Sequence, residues 1–341
     1  MSAVCIVLVN YNSHPDTIEC LESVFKSHHE NYQVVVVDNS DPANSVYHLE
    51  QWARGHTTSI QTLFPELVFP LEKKPLYYRV FSEDEFLLIE QRVSEKVLFV
   101  RAKTNLGFAG GNNVAIKYFT RTNQFDFLWL LNNDTVIQKD TLSYLVECAS
   151  RQLSAVGIMG GKLRQYYMRE RLQAVGGKYY KWFGKVKEVG RDDRDEGQWD
   201  REEFHLDYVI GASMFARKEF VQSIGPMEED YFLYFEELDW ALRGKEKGWK
   251  MAFCPNAIVY HKLGASTGSR KVVSEISDFY FVRNRILIAR KFFPLTLLTL
   301  YPGFLVFIIN RIRRKVPGRI KLLFALLWNP RPHYSKKERP L

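Results

Sequence analysis

Cysteine is scarce in this chain of 341 residues: Cys5, Cys20, Cys148 and Cys254 are widely scattered, with no C-x-x-C pair. That pattern argues against a disulfide framework or a structural zinc site and points to a reducing compartment, with Cys5 and Cys254 lying in apolar runs as core residues. No basic segment precedes the first apolar run, "CIVLVN", which is only strand-length, so no secretory signal is expected there. The glycine-rich stretch "NLGFAGGNN" (105–113) lacks a following Gly-Lys-Ser/Thr, and its glycines at 107, 110 and 111 do not fit G-x-G-x-x-G. Internal repeats and low-complexity tracts are also missing. The net charge of +8 admits anionic partners. Lys and Arg, however, gather in the tail beside apolar stretches, not interleaved with aromatics along a groove, so nucleic acid is not the expected partner.

What is present is enough apolar sequence, 46% of residues, to bury a large core. "CIVLVNYN" (5–12) and "YQVVVVDNS" (32–40) are continuous β-branched runs that end on polar residues, as in a parallel sheet covered on both faces. Between them, Ile18, Leu21, Val24 and Phe25 mark one helical face, and Asp16 with Glu19 resembles a capping box. "KVLFVRAK" (96–103) and "FDFLWLLNND" (125–134) supply two more strands around a helix, "NNVAIKYFTR". The first half is therefore a doubly wound α/β domain. Residues 41–95, with Pro65, Pro70 and Pro75, read as an insertion, and residues 178–204 as a hairpin or a mobile loop.

The tail is different. "FFPLTLLTLYPGFLVFIIN" (292–310) carries no charge and is flanked by Arg290 and Lys291 before it and Arg311, Arg313, Arg314 and Lys315 after it, and a second apolar run, "LLFALLW", follows at 322–328. Pro294, Pro302 and Gly303 weaken a straight span, and basic residues on both sides give no orientation. An interfacial helix or hairpin on an anionic membrane surface fits better than a span or a helix packed against protein.

Three strands end on polar groups: Asn10-Tyr11-Asn12, Asp38-Asn39-Ser40 and Asn132-Asn133-Asp134. In open α/β sheets ligands bind beyond the carboxyl ends of strands, so three such ends in one half-domain suggest a site. Asp134 is a hard oxygen ligand suited to Mg²⁺ or Mn²⁺, although an Asx-turn accounts for "NND" equally well. The glycines of 105–113 serve either close approach to a ligand or tight helix–strand packing. Farther on, "EELDWALRGKE" should be helical and brings Glu236, Glu237 and Asp239 close to Phe235 and Trp240, where a raised pKa and base chemistry become available; dipole compensation at a helix start is the plainer reading. His261 closes another apolar strand.

Taken in order, "VLVNYNS", "VVVVDNS", "NLGFAGGNN", "LLNND", "GASMFARKEF", "YFLYFEELDWALR", "YHKLGAS" and "FYFVRNR" resemble glycosyltransferase family 2, within it the bacterial rhamnosyltransferase-like branch, over residues 3–290 apart from 41–95. The resemblance implies a GT-A fold (Rossmann-like, mostly parallel, helices on both faces) over residues 1–270, followed by a helical, membrane-associating tail at 271–341. It implies an inverting, Mg²⁺- or Mn²⁺-dependent transfer from a nucleotide-diphosphate sugar, dTDP-rhamnose or a UDP-sugar, to a saccharide or lipid-linked acceptor. The expected setting is cell-surface polysaccharide synthesis at the cytoplasmic face of the cell membrane.

By position, the resemblance assigns Asn10, Tyr11, Asn12 and Asp38 to the nucleotide, and Asn105, Gly107, Gly110 and Gly111 to closure over the donor. It assigns Asn133 to the donor side of the metal motif, Asp134 and His261 to the metal, and Arg283 to pyrophosphate or acceptor. Glu237 takes the place of the catalytic acid, with Asp239 as second choice. Two departures, asparagines where many members carry a second aspartate and Glu at 237 where Asp is common, keep open a second reading: a membrane scaffold that has lost catalysis.

Overall fold

A computed structural model describes residues 1–40, 45–57, 59–152, 154–200, 205–262, 275–313, 326 and 329–330. Most of the run at 322–328, the end of "YHKLGAS" and the expected domain boundary at 270/271 lie outside the described residues.

The strands are β1 (Val4–Asn10), β2 (Tyr32–Asp38), β3 (Tyr78–Ser82), β4 (Val97–Arg101), β5 (Phe127–Leu131), β6 (Thr135–Ile137), β7 (Val156–Gln165), β8 (Met168–Ala174), β9 (Gly176–Tyr180), β10 (Lys185–Val189), β11 (Ser213–Arg217) and β12 (Lys250–His261). The helices are α1 (His14–Phe25), α2 (Ser45–Arg54), α3 (Pro65–Val68), α4 (Glu83–Leu87), α5 (Gly107–Thr122), α6 (Thr141–Arg151), α7 (Lys218–Ile224), α8 (Glu236–Glu246), α9 (Glu275–Phe292) and α10 (Leu297–Arg313). One sheet runs β3-β4-β2-β1-β5-β11-β7-β12-β6, with β8 beside β7, and β9 and β10 form a separate hairpin. Its first five strands are mutually parallel, and β11 runs antiparallel to both neighbours. The sheet is thus mixed but rich in parallel pairs.

Alternation along the strands feeds two cores. Cys5, Val7, Val35 and Val37 face one layer, and Val4, Ile6, Leu8, Val34 and Val36 face the other. Burial on both faces explains why β1 and β2 read as unbroken apolar runs. The register aligns Asn10 with Asp38, so the polar ends of β1 and β2 meet at one edge.

Residues 41–95, read as an insertion, carry short elements that join the main fold: β3 extends the sheet beside β4, and the fully buried Trp52 of α2 donates its indole N–H to Glu22 of α1 at 2.8 Å. Two expectations are corrected. The capping box does not form, because Asp16 and Glu19 both pair with Lys262, just after β12, and Ser13 stands at the helix start without a side-chain cap. Finally, Cys148 of α6 and Cys254 of β12 form a disulfide with a Cα–Cα distance of 6.1 Å, while Cys5 and Cys20 are free and buried. Packing of α6 across β12 brings together two thiols 106 residues apart, a meeting that spacing cannot reveal. Closing so long a loop restricts the unfolded chain. Replacing both cysteines by alanine is therefore expected to lower unfolding free energy by about 2–4 kcal/mol, read by urea denaturation, with catalysis retained.

Candidate active site

At the ends of β1 and β2 the side chains turn inward. Asp38 accepts hydrogen bonds from Asn10 Nδ2 (2.8 Å), from the Ser40 backbone N–H (3.1 Å) and hydroxyl (2.6 Å), and from the Val46 N–H (3.2 Å). Asn10 and Asp38 are both fully buried. This network braces the strand ends and the start of α2, so neither side chain reaches the open face as the nucleotide assignment expected. Tyr11, 41% exposed, and Asn12, in the left-handed region at φ 54°, do.

The β5–β6 turn and the end of β12 meet next. Asp134 Oδ1 lies 3.0 Å from His261 Nε2, and both side chains are nearly buried. His261 Nδ1 lies 2.7 Å from Gln173 Oε1, and an amide oxygen only accepts, so Nδ1 carries the proton. In a neutral imidazole Nε2 is then bare, and its lone pair faces a carboxylate. A proton or a cation must stand between them. Burial works against charge on His261, but the Asp134 carboxylate outweighs it and raises the pKa; burial likewise opposes charge on Asp134, and His261 holds its carboxyl below the usual range. Deprotonated oxygen, a fixed imidazole and a polar partner behind the ring are the donor set of a divalent-ion site, so these residues fit a metal. Among the described residues no group of three or more His, Cys, Asp or Glu gathers at one point, so water or donor phosphate would complete the coordination. Asn133 instead donates to Ser13 Oγ (2.7 Å) and Thr17 Oγ1 (2.9 Å), which locks the turn onto α1.

The glycine-rich stretch is mostly helix. Asn105 Oδ1 accepts the Gly107 N–H at 3.0 Å, and α5 begins there at φ +72°, with no room for a Cβ beside the Phe232 carbonyl. Gly110 and Gly111 lie buried inside α5, where a Cβ on Gly111 would come within 2.8 Å of Val9 and of Asn39. The expectation that they close over a donor is corrected: Gly111 lets α5 pack on β1, and Gly110 makes room for Leu106 at the helix start.

Ahead of α8, the chain holds Phe232, Tyr234 and Phe235 all at positive φ, a costly conformation for aromatic residues that its surroundings must impose. Asn284 does much of this, donating to the carbonyls of Tyr231, Leu233 and Tyr234 at 2.8–2.9 Å. Arg283, expected at pyrophosphate, is fully buried and grips Asp230 through its carbonyl (2.6 Å) and carboxylate (2.8 Å); the structure does not bring it to the open face. Asn284→Ala is expected to cost about 1–3 kcal/mol, because carbonyls would be left without their donor, and to lower the melting temperature accordingly.

This loop delivers Glu236 and Glu237. Glu236 is buried, and its Oε1 lacks a hydrogen-bond partner. The Glu237 carboxyl lies beside Gly211 and the Phe108 ring, partly open, with its pKa pushed up to about 7, first by burial and then by the Glu188 charge. Asp239, the second choice, is corrected: it is fully buried and held by Arg243 (2.6 Å), Lys291 (2.7 Å) and the Tyr231 hydroxyl (3.0 Å). It anchors α8 to α9.

One acid was missed in the sequence. Glu188, on β10, is partly buried, pairs with Arg191 at 2.7 Å, and its charge is felt at both His261 and Glu237. Only folding brings the β9–β10 hairpin within electrostatic reach of both, and no motif marks it.

The comparisons agree with this architecture. The family model described as glycosyltransferase-like family 2 matches residues 84–276, and that of glycosyl transferase family 2 matches residues 5–62. The low-salt glycan biosynthesis hexosyltransferase Agl10 of Haloferax volcanii is 20% identical over 231 residues, 64% of this chain and 72% of its own. Among solved structures, Staphylococcus aureus TarS 1–349 in complex with UDP-GlcNAc superposes with TM-score 0.53 at 14% identity, covering 97% of this chain and 82% of that one. The Pyrobaculum calidifontis mannosyltransferase PcManGT, in complex with GDP-Man and Mn²⁺, gives 0.50 at 12% identity, covering 96% and 86%. GalNAc-T7 with UDP, GalNAc and Mn²⁺ gives 0.53 at 13%, and the chain spans about half of it, 48%. At such identities these structures establish a shared GT-A-like fold. Because the first family model covers more than half of its length, the chain belongs to glycosyltransferase-like family 2 and is a glycosyltransferase.

Proposed function

We propose that the protein transfers a sugar, with inversion, from a nucleotide-diphosphate donor to a hydroxyl of a saccharide or lipid-linked acceptor. The observation that carries this reading is His261 Nε2 held 3.0 Å from the Asp134 carboxylate at the carboxyl edge of the sheet, with Gln173 behind the ring. Asp134 and His261 would hold Mg²⁺ or Mn²⁺, which when bound neutralises charge on the departing diphosphate. Tyr11 and Asn12 are the open groups available to the nucleotide. Asn10, Asp38 and Asn133 keep the strand ends rigid beneath it, and Asn105 sets the start of α5.

Glu237 accepts the proton of the acceptor hydroxyl. As that oxygen bonds to the anomeric carbon, the carbon–oxygen bond to the diphosphate breaks on the opposite side, and the configuration inverts. The motif order favours dTDP-rhamnose as donor, with UDP-sugars next. The uncharged run at 292–310 and its basic flanks support attachment to the cytoplasmic face of an anionic membrane. Among the described residues no helix is long and apolar enough to cross one. The test is nucleoside diphosphate release from dTDP-, UDP- and GDP-sugars with Mg²⁺ or Mn²⁺ and candidate acceptors. Metal-dependent release with at least one donor is expected, and release from none of them would overturn the reading.

A further inference from the structure

The described surface carries a concentration of large exposed apolar side chains from two distant segments. Tyr180, Trp182 and Phe183 lie at the tip of the β9–β10 hairpin, and Leu295 and Leu298 lie where α9 passes into α10; Phe183 is 67% and Leu298 79% exposed. The two segments are joined. Thr299 donates its hydroxyl to the Trp182 carbonyl, and Arg285 donates to the Phe183 carbonyl. The Tyr179 and Phe293 rings lie 5.8 Å apart, with Lys181 over the Phe293 face. A side chain at Gly184 would strike Leu300 at 2.9 Å, so the tip is seated tightly on the helices. The five side chains therefore share one rigid face instead of waving on separate loops.

The charge carried by the two segments themselves has one sign. Lys181, Lys185, Lys187 and Arg290 are exposed. The sequence has no Asp or Glu from Gly176 to Lys187, and none between Asp278 and Glu338. Asp207 and Glu246 do come close, beside Tyr179, Lys181 and Phe293, but Asp207 is paired with Lys245 at 2.8 Å. Apolar and aromatic side chains on two segments whose own charges are all cationic match an anionic lipid surface: the rings enter the headgroup boundary while the lysines meet phosphate. An exposed Trp–Tyr pair is the side-chain chemistry of that boundary. A second copy of this chain would bring the same positive rim against itself, which disfavours a symmetric protein contact.

We propose that the hairpin tip and the α9–α10 junction form a single bilayer-docking face. The membrane is the partner already inferred from the tail; the new claim is that the catalytic domain supplies half of the contact. The same hairpin carries Glu188 at its other end, paired with Gly177, so the acid whose charge reaches Glu237 lies about 15–20 Å along the strands from the docking face. That places a lipid-linked acceptor with its reactive hydroxyl close to its anchor.

Flotation of the purified full chain with vesicles tests this. Wild type is expected to float with phosphatidylcholine vesicles containing phosphatidylglycerol and to stay behind with phosphatidylcholine alone. W182A/F183A and L295S/L298S are each expected to lose partitioning about tenfold or more, although each leaves the rest of the tail unchanged. Both pairs are surface positions, so both variants should melt as wild type does and release nucleoside diphosphate with a soluble acceptor at the wild-type rate. Variants that float like wild type would overturn the proposal. So would a wild type indifferent to lipid charge, or a lipid-free dimer dispersed by W182A/F183A. Flotation reads no chemistry, so its failure leaves the proposed reaction standing, whereas a protein that floats but turns over no nucleotide sugar would remove the reaction and keep the face.

Discussion

Asp134→Ala is expected to lower nucleoside diphosphate release at least about a thousandfold and to abolish measurable Mn²⁺ binding by calorimetry. Among the described residues the carboxylate is the one negative group in contact with His261 Nε2, at 3.0 Å. Without it the site keeps a neutral imidazole held by Gln173, a poor grip on a hard cation. A second readout needs no turnover. In the metal-free protein the Asp134 pKa is depressed below 3.8 and that of His261 is raised above 6.5. The aspartate contributes stability above its unfolded pKa, lost as pH falls through the lower folded value. The histidine contributes below its unfolded pKa, lost as pH rises through the higher folded value. The pair is therefore worth most between about pH 4 and 6.5, and that hump in melting temperature should vanish in the alanine variant. Unchanged metal affinity in Asp134→Ala would sink the assignment.

Much of the framework could be read before folding because its physics is local. β1, β2, β4 and β5 are buried on both faces, so burial alone forces runs of Val, Ile, Leu and Phe, and the helix at "EELDWALRGKE" follows from its apolar spacing. β3 escaped because it is an edge strand. Its "YRVFS" is half exposed and lies soon after Pro75, and its pairing with β4 compensates for a weak local signal. The Cys148–Cys254 bond escaped for the opposite reason, being wholly tertiary.

The site divides the same way. That Asp134 and His261 meet is what the resemblance implied; in the fold it comes from β12 pairing with β6, which sets His261 opposite Thr135. What spacing leaves open is which polar groups are already engaged. Asp38, Asp239 and Arg283 carry chemistry suited to a ligand, yet each is taken up by protein partners named above. The choice between packing and ligand contact for Gly110 and Gly111 depends on how close Leu106 and Val9 come, a distance set by the whole sheet. Glu188 depends on where a hairpin folds, and its strand, Lys-Val-Lys-Glu-Val, carries no motif.

Glu237→Gln carries the second large effect: a loss of about a hundred- to ten-thousandfold in turnover with donor affinity retained, since the amide keeps the shape and cannot take a proton. Wild-type turnover should rise with pH and level off above about 7, where the carboxyl is ionised; the glutamine variant should lack that limb. Stability should move the other way. A carboxyl whose folded pKa is raised binds its proton more tightly in the native state, so its contribution is complete below the unfolded pKa and is lost as pH rises through about 7. The glutamine variant should therefore melt higher than wild type at pH 8 and lose that advantage toward pH 5, the pattern of a group kept for chemistry at the expense of the fold. Glu188→Gln isolates the neighbouring charge. Because Glu188 raises the Glu237 pKa, its removal should shift the limb to lower pH and leave the plateau nearly unchanged. A limb that persists unaltered in Glu237→Gln would move the base to another group, with Glu188 the first to examine.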